Sequence, residues 1–248
     1  MGYQDVNAET ISTWIREEDW QWGRPIDSRT YAEAKAGRWD VQLTPTKPVP
    51  HYWFGGSLEG RRLLGLASGG GQQIPIFSAL GAKCTVLDYN DEQLESERMV
   101  ARREGYDVDI VKADMTRPLP FADETFDIIF NPASLCYVEK VEPIIRECWR
   151  ILKGNGVLMI TFENGINYIT DPEDEGRICQ SLPFNPLEDP SLYSREDGYQ
   201  FSHSFSEQIG GLIRAGFTLT DVYEDTNGYG LLHELNIPSF WAVRAVKK

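Results

Sequence analysis

The sequence predicts an α/β protein with a doubly wound, mostly parallel seven-stranded sheet, a helical N-terminal cap and an insertion after strand five. Two observations predict this fold. Between residues 61 and 163, short apolar runs alternate with segments whose apolar residues recur at helical spacing. Gly81, Gly105 and Gly154 stand where successive helices are expected to stop, each shortly before an apolar run. Such alternation is typical of a parallel sheet covered by helices.

The segment 1–60 precedes this alternation and is expected to form a cap or lid. Residues 7–20 and 31–36 read as helices because their apolar residues fall on one face. Three prolines then interrupt regular structure before the aromatic cluster at 52–54. This cluster either packs on the edge of the sheet or covers a ligand, and the two roles are compatible. We assign residues 61–248 to the α/β domain.

The first predicted strand, at 63–66, leads into a loop of small residues, 67–71. A helical pattern follows as far as Gly81, and a second strand, at 83–88, ends on Asp88. Small residues let the backbone approach a ligand, and a helix that starts after them directs free amides toward it. Asp88 is placed to accept hydrogen bonds from a ribose diol. The stretch therefore predicts a nucleotide site and leaves the cofactor open between a dinucleotide and S-adenosylmethionine.

The later elements follow in order from periodicity and capping residues. A helix at 91–104 has Asn90 or Asp91 as its N-cap and Gly105 just past its end. The remaining predicted elements are strands at 107–112 and 126–130, a helix at 141–152, a strand at 157–162, a helix at 204–215, and strands at 217–223 and 239–246. Residues 164–200 interrupt the alternation with prolines, aromatic residues and the acids Asp171, Glu173, Asp174 and Glu175. Insertions of this length are more often functional than idle.

Composition excludes several classes of protein. A formal charge of −14 argues against nucleic acid as a partner, because phosphate binding relies on Lys and Arg. The four cysteines form no C-x-x-C pair, which favours reduced core thiols over disulfides or a metal site. The first residues lack the basic and apolar parts of a signal peptide, and no apolar run is long enough to span a membrane. We expect a cytoplasmic protein, a monomer or homodimer.

Polar residues recur at the carboxyl ends of the predicted strands. Asp88 ends strand two, Asp114 follows strand three, and Asn131 and Pro132 follow strand four. In open α/β sheets, ligands bind at this edge, near the point where the strand order reverses. Asp114 is placed to accept a hydrogen bond from an exocyclic amine such as that of adenine. Together with the loop after strand one, these residues predict one site along one edge of the sheet.

The motifs LLGLASGGG, VLDYNDEQL, ADM, LPFADETFDIIF and ECWRILKGNGVLMI, in this order and spacing, resemble the class I S-adenosylmethionine-dependent methyltransferases, which have a Rossmann-like fold. The resemblance covers about residues 60–165 and implies S-adenosyl-L-methionine as the cofactor. It implies that the glycine loop wraps the methionine end, that Asp88 holds the ribose, that Asp114 and Met115 meet the adenine, and that the segment after strand four lines the methyl group. The expected cofactor-binding residues are Ala67, Ser68, Gly69, Gly71, Gln72, Asp88, Tyr89, Gln93, Asp114, Met115, Asn131, Pro132 and, from the cap, Trp53. Gly65 and Ala67 depart from the family pattern, which has an acidic residue and a glycine there.

No catalytic residue or metal site is assigned. His203 is a weak candidate for a general base, and His233, His51, Tyr168 and Glu163 are further candidates. The leading hypothesis is methyl transfer to a small molecule, with the insertion covering the acceptor. One alternative is an NAD(P)-dependent short-chain reductase, although the required Tyr-x-x-x-Lys pair is missing after the cofactor half. A second alternative is a regulator that binds S-adenosylmethionine without catalysis.

Overall fold

A computed structural model describes residues 2–17, 20–171, 174 and 176–248. Its centre is a seven-stranded sheet in the order β3-β2-β1-β4-β5-β7-β6. The strands are β1 (Arg62–Leu66), β2 (Lys83–Asp88), β3 (Val108–Lys112), β4 (Phe126–Asn131), β5 (Leu152–Glu163), β6 (Phe217–Asp225) and β7 (Phe240–Lys247). Neighbouring strands among the first five are parallel, whereas β7 pairs antiparallel with both β5 and β6. This confirms the predicted mostly parallel sheet.

The strand order reverses at β1, whose two neighbours are β2 and β4. Leu66, the last residue of β1, pairs with Leu87, and Gly65 pairs with Phe130, so the three strands end close to one another. Ligands of open α/β sheets bind outside the carboxyl ends of strands at such a reversal. The sheet therefore brings the loop after β1 and the residues after β2 and β4 to one edge.

The helices are α1 (Tyr3–Glu17), α2 (Ser28–Lys35), α3 (Gln73–Ala79), α4 (Asp91–Glu104), α5 (Glu142–Ile151), α6 (Ile166–Ile169), α7 (Phe205–Ala215) and α8 (Gly230–Glu234). The predicted capping of α4 is confirmed: the Asn90 side chain accepts a hydrogen bond from the backbone of Gln93, and Gly105 ends the helix in the left-handed region. No helix among the described residues has both the length and the apolarity needed to cross a membrane.

Two apolar layers cover the two faces of the sheet. On one face, Leu64 and Leu66 belong to a cluster with residues of α5 and α7, among them Ile145 and Leu212. On the other face, Leu63 packs in a cluster that contains residues of α3 and α4. The alternation along β1 follows from the two-residue period of side chains in a strand. Both faces are thus closed, and ligand access is left to the edges.

Some predicted boundaries differ from the structure. The segment 153–156 was predicted as a turn, but β5 begins at Leu152, directly after α5, because Leu152 pairs with Phe126 across an irregularity in the register. The short helices α6 and α8 were not predicted, since so few residues carry no periodic signal. Helix α1 begins at Tyr3 rather than at residue 7, and residues 18 and 19 of that predicted helix lie outside the described residues. The same holds for Glu173 and Glu175 of the acidic run.

Candidate active site

The loop after β1 is held by backbone hydrogen bonds on both sides. The amide of Ala67, whose φ is +47°, donates to the carbonyl of Leu87 at 2.7 Å, and the amide of Gly70 donates to that of Gln93 at 2.9 Å. A Cβ on Gly69 would stand 2.7 Å from the Cβ of Gln93 and 3.0 Å from Asp88 Oδ2. Only glycine fits this close approach, so the loop lies directly on the end of β2 and the start of α4.

Asp88 connects this loop with the turn into α4. Its Oδ2 accepts from the amide of Gly69 and its Oδ1 accepts from the amide of Asn90, both at 3.0 Å. Burial raises the pKa of the Asp88 carboxyl, while these backbone hydrogen bonds oppose the rise. A carboxylate can accept about four hydrogen bonds. The side chain therefore fixes the loop and keeps lone pairs for a ligand.

A first cavity of about 90 Å³ lies beside Asp88 and extends past Asp114 and Met115. Asp114 is oriented locally, because its Oδ1 accepts from the backbone amide and the hydroxyl of Thr116 at 2.8 and 2.6 Å. Its Oδ2 lies 3.7 Å from Nε of Arg117, which is largely exposed. The cavity thus has an apolar floor and two carboxylates at its rim.

Helix α1 forms the opposite wall of this cavity, with Gln4, Asn7, Ala8 and Ile11. The side chain of Asn90 donates to the carbonyl of Ala8 at 2.7 Å and to the hydroxyl of Ser12 at 2.9 Å. The hydroxyl of Tyr89 donates to Asp5 at 2.6 Å. The residues that follow Asp88 therefore hold the N-terminal helix over the edge of the sheet.

Two further cavities follow along the same edge. The second, of about 220 Å³, is bounded by the glycine loop, Gln93, Pro132 and the segment 42–45. The third, of about 530 Å³, is bounded on one side by residues of the insertion 164–200. The second and third cavities share the lining residues Trp22, Pro45, Cys136, Tyr137, Glu163 and Phe240. Tyr137 also lines the first cavity, so the three cavities adjoin one another, and together they are called the cleft.

Most predicted cofactor residues line this cleft: Ala67, Ser68, Gly69, Gln72, Asp88, Tyr89, Gln93, Asp114, Met115 and Pro132. Three others do not. Gly71 faces α4, where its amide donates to Glu97 at 3.1 Å. Asn131 is buried beneath the cleft and donates to the carbonyl of Leu66 at 2.8 Å. Trp53 has no exposed surface, because its ring packs in the core and its Nε1 donates to Asp221 at 2.8 Å.

The candidate general bases differ in whether they line the cleft. His203 lies outside the three cavities with its Nε2 2.8 Å from the carbonyl of Val138, and burial lowers its pKa. His51 stacks on Trp39, and His233 pairs with the hydroxyl of Thr226. Glu163 and Tyr168, by contrast, line the third cavity, and Tyr168 donates to Glu163 at 2.6 Å. Of the sequence candidates, only this pair reaches the cleft.

Sequence reasoning missed the lining residues of α1, Trp22, the segment 42–45, and Cys136 with Tyr137. Cys136 and Tyr137 lie a few residues beyond the end of β4. The expectation that ligands bind at the carboxyl ends of the strands would have included them if it had been extended by one further turn of the chain. The others come from the cap, whose docking depends on contacts across the chain. Among the described residues no cluster of His, Cys, Asp and Glu has the geometry of a metal site.

Comparisons with known proteins agree with this geometry. Residues 64–160 match the family model described as "Methyltransferase domain". An uncharacterized methyltransferase of Bacillus subtilis, YbaJ, is 38% identical over 237 residues, which cover 92% of each chain. The ubiquinone/menaquinone biosynthesis C-methyltransferase UbiE of Klebsiella pneumoniae is 30% identical over 191 residues, covering 72% of this chain and 74% of the relative.

Among solved structures, an S-adenosylmethionine-dependent methyltransferase from Mesorhizobium loti superimposes with a TM-score of 0.61. The superposition covers 77% of this chain and 93% of that one at 20% sequence identity, and it shows that the two proteins share the fold. The fold, the cleft at the strand reversal and the relatives agree, and the chain belongs to the class I S-adenosylmethionine-dependent methyltransferases.

Proposed function

We propose that this methyltransferase acts on a small-molecule acceptor, which binds in the third cavity while S-adenosylmethionine occupies the first and second. The observation that carries the proposal is that the cavities adjoin. The cavity beside the glycine loop and the cavity beside the insertion share Tyr137 and Glu163 as lining residues. A methyl group presented at this junction is within reach of an acceptor on the other side.

The residues present fit this cofactor. Asp88 has lone pairs for the ribose hydroxyls, and Asp114 stands over an apolar floor that suits the adenine ring. Gly69 leaves no side chain between the loop and the cleft. Oε1 of Gln93 is a buried acceptor without a hydrogen-bond partner beside the same loop. These features support binding of the adenosine part along α1 and of the methionine part along the glycine loop.

The shape and charge of the third cavity support a small acceptor. The insertion contributes the aromatic side chains Tyr168 and Phe184 to this pocket, and their rings stack 5.2 Å apart. The chain carries a formal charge of −14, which opposes binding of nucleic acid. A compact, partly aromatic molecule suits the pocket better.

When bound, S-adenosylmethionine supplies a methyl group that is already activated by the sulfonium charge. The protein is therefore required mainly to orient the two reactants and to exclude water. Helix α1 covers the cofactor side, and Trp22 and Pro45 close the junction. Glu163, the last residue of β5, and Gln200, the last residue of the insertion, bound the acceptor side.

A thermal-shift comparison tests the assignment. S-adenosylhomocysteine at about one hundred times its dissociation constant is expected to add about 2.7 kcal/mol to the free energy of unfolding. NAD at the same concentration is expected to leave the melting temperature unchanged. A shift with NAD and none with S-adenosylhomocysteine would contradict the proposed function and favour a reductase.

We further place the enzyme in the cytoplasm. All four cysteines are free thiols, and Cys84, Cys136 and Cys148 are buried. Burial raises the pKa of each of these three thiols, so they stay protonated and unreactive at neutral pH. Unpaired cysteines are typical of proteins that work in a reducing compartment.

A further inference from the structure

Among the described residues, the walls of the second and third cavities carry acidic side chains and no basic ones. The chain contains 24 Lys and Arg residues. Among the described residues that line these two cavities, none is Lys, Arg or His, whereas Asp88, Glu163 and Asp197 are carboxylates. Asp88 lies at the loop on the cofactor side, and Asp197 lies in the insertion. Glu163 is the carboxylate at the junction, because it alone of the three lines both cavities.

Strand pairing and two hydrogen bonds hold Glu163 in place. It ends β5, where it pairs with Phe240 of β7, and its carbonyl accepts from Nε2 of Gln208 at 2.6 Å. Its Oε2 accepts from the hydroxyl of Tyr168 at 2.6 Å. Since a carboxylate accepts about four hydrogen bonds, lone pairs remain for a ligand. The side chain is thus an oriented anion at the place where the acceptor would meet the methyl group.

Aromatic residues line the same cavities as this carboxylate. Tyr137 and Phe240 line both cavities with it, and Tyr168, Phe184 and Tyr229 line the third. Ring faces attract cations, most strongly where water is excluded. An anionic acceptor would meet a carboxylate with no counter-charge, and a neutral hydroxyl would donate a hydrogen bond to it without the attraction between opposite charges that an ammonium ion adds. A carboxylate set among aromatic rings matches a positively charged nitrogen.

We propose that the acceptor is a primary or secondary amine, which enters as an ammonium ion and pairs with Glu163. This inference rests on the proposed function and specifies its acceptor. The ammonium nitrogen has no lone pair, so it first loses a proton, which the carboxylate of Glu163 accepts. The freed lone pair forms a bond to the methyl carbon, and the carbon–sulfur bond breaks with its electron pair passing to sulfur. The products are a methylated ammonium ion and neutral S-adenosylhomocysteine, and Glu163 releases its proton to solvent.

The environment of Glu163 suits such a proton transfer. Burial raises the pKa of its carboxyl, and the hydrogen bonds from Tyr168 and Cys136 oppose this rise. A raised pKa makes a carboxylate a better proton acceptor, because the pKa of the carboxyl group then lies closer to the pKa of the ammonium ion that gives up the proton.

Calorimetry with three probes of one shape tests the inference. 2-Phenylethylamine, 2-phenylethanol and phenylacetate are titrated into the protein saturated with S-adenosylhomocysteine. The amine is expected to bind at least about tenfold more tightly than the alcohol. The reason is that a hydrogen bond between two charged groups contributes more free energy than one from a neutral hydroxyl, by about the amount that corresponds to a factor of ten in affinity. Phenylacetate is expected to bind more weakly still. In Glu163→Gln the amine and the alcohol should bind within about twofold of each other.

The control variant is Glu188→Gln, which changes the charge equally at an exposed residue of the insertion outside the cleft. It should keep the preference for the amine. Absence of amine binding, equal affinity of amine and alcohol in the wild type, or an unchanged preference in Glu163→Gln would overturn the inference. Loss of S-adenosylhomocysteine binding in Glu163→Gln alone would also overturn it, by assigning Glu163 to the cofactor. Failure of the wild type to bind S-adenosylhomocysteine would instead refute the proposed function.

Discussion

Replacing Asp88 by alanine is expected to affect cofactor affinity and stability together. In the folded protein the carboxylate accepts the amides of Gly69 and Asn90, each at 3.0 Å. Asp88→Ala leaves two partly buried donors unpaired, at a cost of about 1–3 kcal/mol each in the free energy of unfolding. It also removes the acceptor that we propose for the ribose hydroxyls, and each such hydrogen bond contributes about 1.5–3 kcal/mol. Affinity for S-adenosylhomocysteine should therefore fall at least about tenfold.

The two effects are separated by measuring them under different conditions. Urea denaturation without ligand gives the loss of stability, and calorimetry at a temperature where the variant is fully folded gives the loss of affinity. Asp109→Asn serves as the control, since Asp109 is an exposed residue of β3 in the same sheet and should change neither quantity. An Asp88→Ala protein that is destabilised but binds S-adenosylhomocysteine within twofold of the wild type would show that Asp88 only organises the loop.

Three other perturbations follow from the structure. Burial raises the pKa of Glu97 to about 7. This folded-state pKa exceeds the ordinary value of 4.5, so the stability that Glu97 contributes at low pH is lost as the pH rises through about 7. In urea denaturation, the free energy of unfolding of Glu97→Gln should therefore rise by about 2 kcal/mol relative to the wild type between about pH 5 and 8. A difference between the two proteins that does not depend on pH would refute this. Asn7→Ala removes a pair of hydrogen bonds to the backbone of Tyr199 and should speed proteolysis of both α1 and the insertion, whereas an effect on α1 alone would refute the coupling. Replacing 170–198 by a Gly-Ser linker should keep S-adenosylhomocysteine affinity within a few-fold in calorimetry while abolishing binding of acceptor probes, and retained probe binding would move the acceptor site elsewhere.

The sequence predicts those parts of the molecule that depend on local chemistry. The strand β2 and the helix α4 have the predicted limits, because an apolar run, the cap at Asn90 and the stop at Gly105 each act over a few residues. The strand-end argument likewise expects Asp88 and Asp114 at one edge of the sheet, since parallel strands end there together, and both residues line the first cavity. These predictions need only the period of an element and the direction of the chain.

The failures concern residues whose position depends on distant contacts. Trp53 was expected over the cofactor, but its indole finds a hydrogen-bond acceptor in Asp221 of β6, and the ring is drawn into the core. A buried indole needs such a partner for its N–H group. Asn131 ends a strand like Asp88 does, yet its amide turns inward to the carbonyl of Leu66. Nothing in the sequence near these residues shows the partner that decides their orientation.

Helix α1 connects the two halves of the cleft physically. On one side, Asn90, two residues after Asp88, donates to the carbonyl of Ala8. On the other side, Asn7 donates to the carbonyl of Tyr199 at 2.9 Å and accepts from its amide at 2.7 Å, which ties the helix to the end of the insertion. If the cofactor binds in the first cavity, as we propose, it contacts the same helix that is tied to the wall of the proposed acceptor pocket. Because coupling between two sites is reciprocal, an acceptor that orders the insertion must strengthen cofactor binding by the same factor. The N-terminal helix thus lines the cleft as the glycine loop does, although it lies outside the part of the chain that the family model matches.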